Sequence, residues 1–206
     1  MRFCTITNCC LSVLIVLLTA CSGNEKKVMV LIKGDAEVDE KAKIVVVKNG
    51  VGNTEKEMNF STGDPVTIQL TTPETKSAIA ILENGYYVLN AKNDTIIGSY
   101  QNYGAPAASA VIITQAKLKQ GIDSLKQLLE GKNISAANRN YFILPYTAAK
   151  ITKNANATIV APYHQMTSIA STEDGKTPEV YRFWSIKEIR QTIADRVKDT
   201  LSSDKK

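Results

Sequence analysis

Cysteine is confined to the start of this 206-residue chain, at Cys4, Cys9, Cys10 and Cys21. From Ser22 onward there is no thiol. That excludes a disulfide framework, a cysteine nucleophile, a thiolate metal site and a redox motif from the rest of the sequence. Histidine is nearly as scarce. His164 stands alone, so a two-histidine zinc helix or any multi-histidine metal centre is excluded. No basic run interleaves with aromatics, and no nucleic-acid surface is expected. Phosphate loops, dinucleotide fingerprints and calcium loops are missing too. The formal charge of +5 is a mild excess, one unit of it from Arg2. Neither a cofactor nor a metal is expected.

What the sequence does have begins at its N-terminus. Arg2 is followed by the apolar run Leu11-Ser12-Val13-Leu14-Ile15-Val16-Leu17-Leu18, then by Thr19-Ala20-Cys21. The run is shorter than the roughly 20 apolar residues that span a bilayer. A positive charge, an apolar stretch and small residues before a processing point make a secretory signal over residues 1–20. Leu18-Thr19-Ala20-Cys21 resembles the lipobox of bacterial lipoproteins. The resemblance covers residues 1–21 and implies that Cys21 is acylated and becomes the first residue of the mature protein. Two or three acyl chains on one residue anchor a protein stably without a spanning helix. By analogy with enterobacterial lipoproteins, Ser22 in the second mature position implies the outer membrane. Surface-exposed lipoproteins of Bacteroidota often carry acidic residues just after the cysteine; here Lys26 and Lys27 follow Glu25, and that departure implies a periplasm-facing orientation. Residues 21–27 then read as lipidated cysteine and tether.

From Val28 the sequence changes to short β-like runs: Val28–Ile32, Lys43–Val47, Val66–Leu70, Ala78–Leu82, Tyr86–Leu89 and Thr95–Tyr100. Between them, Lys33-Gly34-Asp35, Asn49–Asn53, Gly63-Asp64-Pro65, Glu83-Asn84-Gly85 and Asn90–Asp94 carry turn residues. Strands so spaced predict an antiparallel sandwich or barrel over 28–104. Asn84-Gly85 between Leu82 and Tyr86 predicts a tight hairpin. Residues 105–203 read as an α+β region, with Gly104–Ser109 as a linker. A helix is expected near 115–130, with Thr114 as N-cap, Gly131 past its end and an apolar stripe of Leu118, Ile122, Leu125, Leu128 and Leu129. Tyr141–Leu144, Ala149–Thr152, Thr158–Ala161 and Val180–Trp184 read as further strands. A last helix is expected near 186–201: Ser185 and Glu188 match a capping box, Trp184 is placed to staple onto Ile189, and Ile186, Ile189, Ile193 and Val197 form one stripe. The fold class expected is α+β, mostly β.

Candidate chemistry is sparse. A Ser-His-acid triad would need His164, and no Gly-x-Ser-x-Gly elbow supplies a nucleophile. Glycoside hydrolysis needs two carboxylates across a cleft; Glu173, Asp174 and Glu179 are the nearest grouping. Tyrosines at 86, 87, 100, 103, 141, 146, 163 and 181, with Trp184, would stack on sugars if several converged. Trp184, Tyr181, Tyr163 and His164 are the candidate ligand-binding residues. The sequence therefore leads to a membrane-anchored envelope lipoprotein with a non-catalytic binding or assembly role toward a protein or glycan partner. The alternative is a glycan-binding protein or a glycan or peptidoglycan hydrolase.

Overall fold

The structure is a computed structural model and describes residues 24–101, 115–135, 137–162, 178–186, 189–190, 193–195 and 197. Among them the elements run β1 (Lys26–Asp39), β2 (Ile44–Phe60), β3 (Val66–Thr71), β4 (Lys76–Ile81), β5 (Gly85–Asn90), β6 (Ile96–Gln101), α1 (Gln115–Leu129), β7 (Asn140–Ile143), β8 (Ala148–Thr152), β9 (Thr158–Val160) and β10 (Val180–Ser185). The mostly β fold with a barrel-like first sheet, as expected from the sequence, is what forms.

β1 and β2 make one long antiparallel ribbon whose register shifts between Lys33 and Asp35. Lys33-Gly34-Asp35 and Asn49–Asn53, expected as turns between strands, lie inside this ribbon. The reason is steric. Gly34 (φ +93) and Gly52 (φ +96) adopt left-handed backbone, and a bulge lets a strand bend without ending. A Cβ on Gly34 would stand 2.8 Å from the Lys48 carbonyl oxygen and 2.9 Å from the Gly50 nitrogen. Backbone meets backbone at the bend.

The bend lets the ribbon curl. β3 adds parallel to the start of β2, β4 pairs with β3, β5 lies parallel to the first half of β1, and β8 adds to β5. The resulting order β4-β3-β2-β1-β5-β8 forms a nearly closed barrel. Val28, Val30, Ile32, Val45, Met58, Ile68, Leu70 and Leu89 fill it. Near its edge strands β4 and β8 the gap is bridged by side chains: the Tyr146 hydroxyl donates to Glu74, and Lys150 Nζ to Glu83 at 2.6 Å.

The hairpin expected at Asn84-Gly85 does not form, because β4 pairs with β3 while β5 pairs with β1 and β8. The parallel pairing buries every residue of β5, with Tyr87 and Leu89 inside the barrel and Tyr86 and Val88 outside it. A two-stranded hairpin is marginal alone and would leave one of those faces uncovered.

The outer face of β1, β5 and β8 packs on a second sheet of order β7-β6-β10-β9. Leu31, Tyr86, Val88 and Ile151 meet Ile96, Ile143, Tyr181 and Phe183 there. The far face of that sheet carries Ile97, Phe142 and Trp184 against Leu128, Leu129, Ile186, Ile189 and Ile193. The sheets do not divide at residue 104: β6 belongs to the second sheet, and β8 returns to the first.

α1 ends as its sequence predicts. Gly131 is left-handed (φ +66), and its N–H donates to the Leu128 carbonyl while that of Lys132 donates to Gln127, the bond pair of a Schellman stop. Residues 186, 189–190, 193–195 and 197 are helical; Ile189 is buried and Val197 is 38% exposed. Val197 thus falls off the docked stripe. Residues 1–23, the Gly104–Ser109 linker, Thr114, Glu188 and residues 198–203 lie outside the described residues.

Candidate functional site: a polar pocket at the barrel rim

One rim of the barrel holds a pocket of about 230 Å³, where the β1–β2 bulge, the β3–β4 turn and the corner after β5 converge. Lys33, Lys48, Lys92, Asn49, Asn93, Glu74 and Tyr146 give it its chemistry. The bulge explains the first group, since the bend at Gly34 and Gly50 turns Lys33, Lys48 and Asn49 toward one end of the barrel.

Asn90 fixes the second wall. It is fully buried, and its Nδ2 donates to the carbonyls of Asp94 (2.8 Å), Ile143 and Leu144 (both 3.2 Å), while Oδ1 accepts from the Lys92 backbone. A buried amide so satisfied locks three segments together. Its backbone carbonyl also takes the Tyr146 N–H at 2.8 Å.

Tyr146 is the least ordinary residue here. It follows Pro145 with φ 59, a left-handed conformation that costs a non-glycine residue roughly 1–2 kcal/mol. Strain of this kind collects at functional sites. The ring forms pocket wall, and the hydroxyl donates to Glu74. Burial and that hydrogen bond push its pKa up to about 12. Glu74 also accepts from Asn93 Nδ2 at 3.1 Å. Lys48 donates to Glu37, and this hydrogen bond and charge hold its pKa above the usual lysine value. Lys92 Nζ lies 3.8 Å from Asp94 Oδ1. Lys33 is exposed and makes no ion pair among the described residues.

Of the candidates chosen from sequence, Tyr181 and Trp184 do not line this pocket. Tyr181 is buried between the sheets, edge-on to Tyr100 and Tyr141, with its hydroxyl on Glu179. Glu179 accepts also from Thr152 and Asn154, which makes it a structural acceptor in this cluster. Trp184 packs on the far sheet face with Ile97 and Ile189, and the Arg182 guanidinium stands 5.4 Å from its ring centre. Both are held by packing. Cys21, Tyr163, His164, Glu173 and Asp174 lie outside the described residues. Among the described residues no group of His, Cys, Asp and Glu could hold a metal ion, and no helix is long and apolar enough to cross a membrane.

The pocket residues escaped notice because their signal is shared with ordinary turns. Only Pro145-Tyr146, a Pro followed by an aromatic where a turn favours glycine or asparagine, marked the spot. Fold and site together define a barrel-like β protein with a small polar rim pocket. No protein-family model matches the chain, and neither a curated protein nor a solved structure matches it significantly.

Proposed function

We propose that the chain is a lipid-anchored protein of the bacterial envelope, held through acylated Cys21 on the outer membrane and facing the periplasm, and that its work is non-catalytic binding at the rim pocket. The observation that carries this reading is that the pocket lies a strand segment away from Lys26, where β1 begins. From Cys21 to Lys26 the chain reaches at most about 18 Å, so the start of β1 lies near the bilayer. β1 then runs from Lys26 to Lys33, about 23 Å at strand rise, with β5 parallel beside it. The pocket opens where β5 ends and β1 bends at Gly34. An anchored domain would therefore hold it away from the lipid.

Binding is favoured over hydrolysis by the state of the lining groups. Glu74 is the carboxylate among them, and it already accepts from Tyr146 and Asn93. A glycosidase needs a second carboxylate across the cleft. The partner is an envelope glycan or protein.

The test is fractionation of cells producing the full chain or Cys21→Ser with labelled fatty acid, followed by affinity capture from detergent-solubilised envelope. Labelled protein in the outer membrane, loss of label and membrane retention in Cys21→Ser, and specific capture of an envelope component are expected. Membrane retention indifferent to Cys21, or hydrolysis of an envelope glycan by the purified protein, would overturn the reading.

A further inference from the structure

We infer that the rim pocket is a site for a single sugar acid: one hydroxylated ring bearing a carboxylate, either free or at the end of an acidic glycan. This rests on the binding role proposed above and names its ligand class.

Size comes first. About 230 Å³ lies below the roughly 300–1,000 Å³ of pockets that enclose drug-sized ligands. The space suits one ring.

Charge is asymmetric around that space. Lys33, Lys48 and Lys92 line it, with Glu74 as the lining carboxylate. Lys48 keeps further donors besides the one engaged by Glu37, since an ammonium has three. Lys92 is buried and pairs with Asp94 at 3.8 Å, so it adds positive charge to the wall. Lys33 brings a cation with no counter-ion among the described residues. A carboxylate set between the Lys33 and Lys48 ammoniums gains charge-assisted hydrogen bonds.

The opposite wall is built for hydroxyls. Glu74 accepts one donor on each oxygen, Tyr146 on one and Asn93 on the other, and each carboxylate oxygen can take a second. Asn49 and Asn93 carry amides that both donate and accept. Tyr146 supplies an aromatic wall held in place despite its backbone strain. Phosphate is the competing anion. Among the described residues the lining contains no arginine, the side chain whose planar fork matches phosphate oxygens two at a time. Lysine point charges beside hydroxyl acceptors fit a sugar carboxylate better.

The test is calorimetric titration of the full chain in detergent micelles with glucuronate, glucose, inorganic phosphate and a uronate tetramer. One site is expected, binding glucuronate at least tenfold more tightly than glucose or phosphate and weakening as salt is added. Lys33→Glu, a change at an exposed position, should weaken glucuronate at least tenfold. Tyr146→Gly removes the wall and should lose binding. Its melting point should fall, because relieved strain offsets only part of the lost core packing and Glu74 bridge, so it is titrated below its own transition. A tetramer at least tenfold tighter than glucuronate would contradict a one-ring site. One as tight as glucuronate indicates that the terminal ring of an acidic glycan is accepted; one at least tenfold weaker indicates a free sugar acid. Both support the site. Glucose or phosphate binding as well as glucuronate would overturn it, as would affinity unmoved by Lys33→Glu and Tyr146→Gly. If no uronate binds while Cys21-dependent retention and capture persist, the ligand class is wrong and the anchored binding role stands.

Discussion

Lys26 is wholly buried at the start of β1. Its ammonium donates to the Thr62 carbonyl at 2.6 Å and to Asn84 Oδ1 at 2.9 Å. Leaving such a cation with fewer acceptors costs more than removing it, because its desolvation is no longer offset. Asn84→Leu should therefore destabilise by about 2–3 kcal/mol, and Lys26→Met by only about 1 kcal/mol, as its half-exposed acceptors regain water. Urea midpoints at unchanged slope measure the difference. Glu179 sets a pH dependence at the same scale. Burial alone would raise its pKa, but hydrogen bonds from Tyr181, Asn154 and Thr152 and the charge of Arg139 hold it below the ordinary carboxylate value. Its contribution is thus complete above about pH 4.3 and is lost as pH falls through the lower folded value. Glu179→Gln should lower the urea midpoint near neutral pH and converge on the parent in acid. Glu57, lowered in the same sense, keeps an acid limb in both. Neither partnership was legible in the sequence. Lys26 lies 58 residues from Asn84, and nothing local announces a pair at that distance.

At the scale of elements, glycine decides where strands bend and where they meet. Gly98 on β6 faces Phe183 on β10, and a Cβ there would stand 2.2 Å from the ring. Gly98→Ala should push the ring aside and cost about 2 kcal/mol or more, the range for overpacked cores, with a matching loss in thermal unfolding. The strands themselves were easy to read. Alternation in Val66-Thr67-Ile68-Gln69-Leu70 follows the observed burial, and the tyrosine-rich run at 86–89 is β5. What misled was the turn vocabulary. Gly34, Asn49-Gly50 and Asn84-Gly85 have the composition of hairpin turns, yet two sit at the bulge and the third carries the chain to a parallel neighbour. Local residues state that the chain changes direction. Which strand it then meets depends on the faces that need covering, and β5 needs both covered. The pocket inherits that ambiguity, because its walls are these same bends.

At the scale of the molecule, two layers of core flank the β1–β5–β8 wall, and the second sheet and helices cover one side of the barrel. The barrel's two ends are left with different surroundings. Lys26, Thr62 and Asn84 mark the end where β1 begins, and Leu82 stands 62% exposed beside it. Lys33, Asn93 and Tyr146 mark the other. This polarity is the centre of the account, and the absence of thiols after Cys21 makes it directly measurable. Leu82→Cys and Asn93→Cys each offer a single labelling site once Cys21 is acylated. With a fluorophore at one position or the other, the membrane-extracted protein is reconstituted into vesicles whose headgroups carry a quencher. Strong quenching at position 82 and little at position 93 is the expected result. Equal quenching, stronger quenching at 93, or none at either would contradict an anchored domain that holds its pocket away from the membrane.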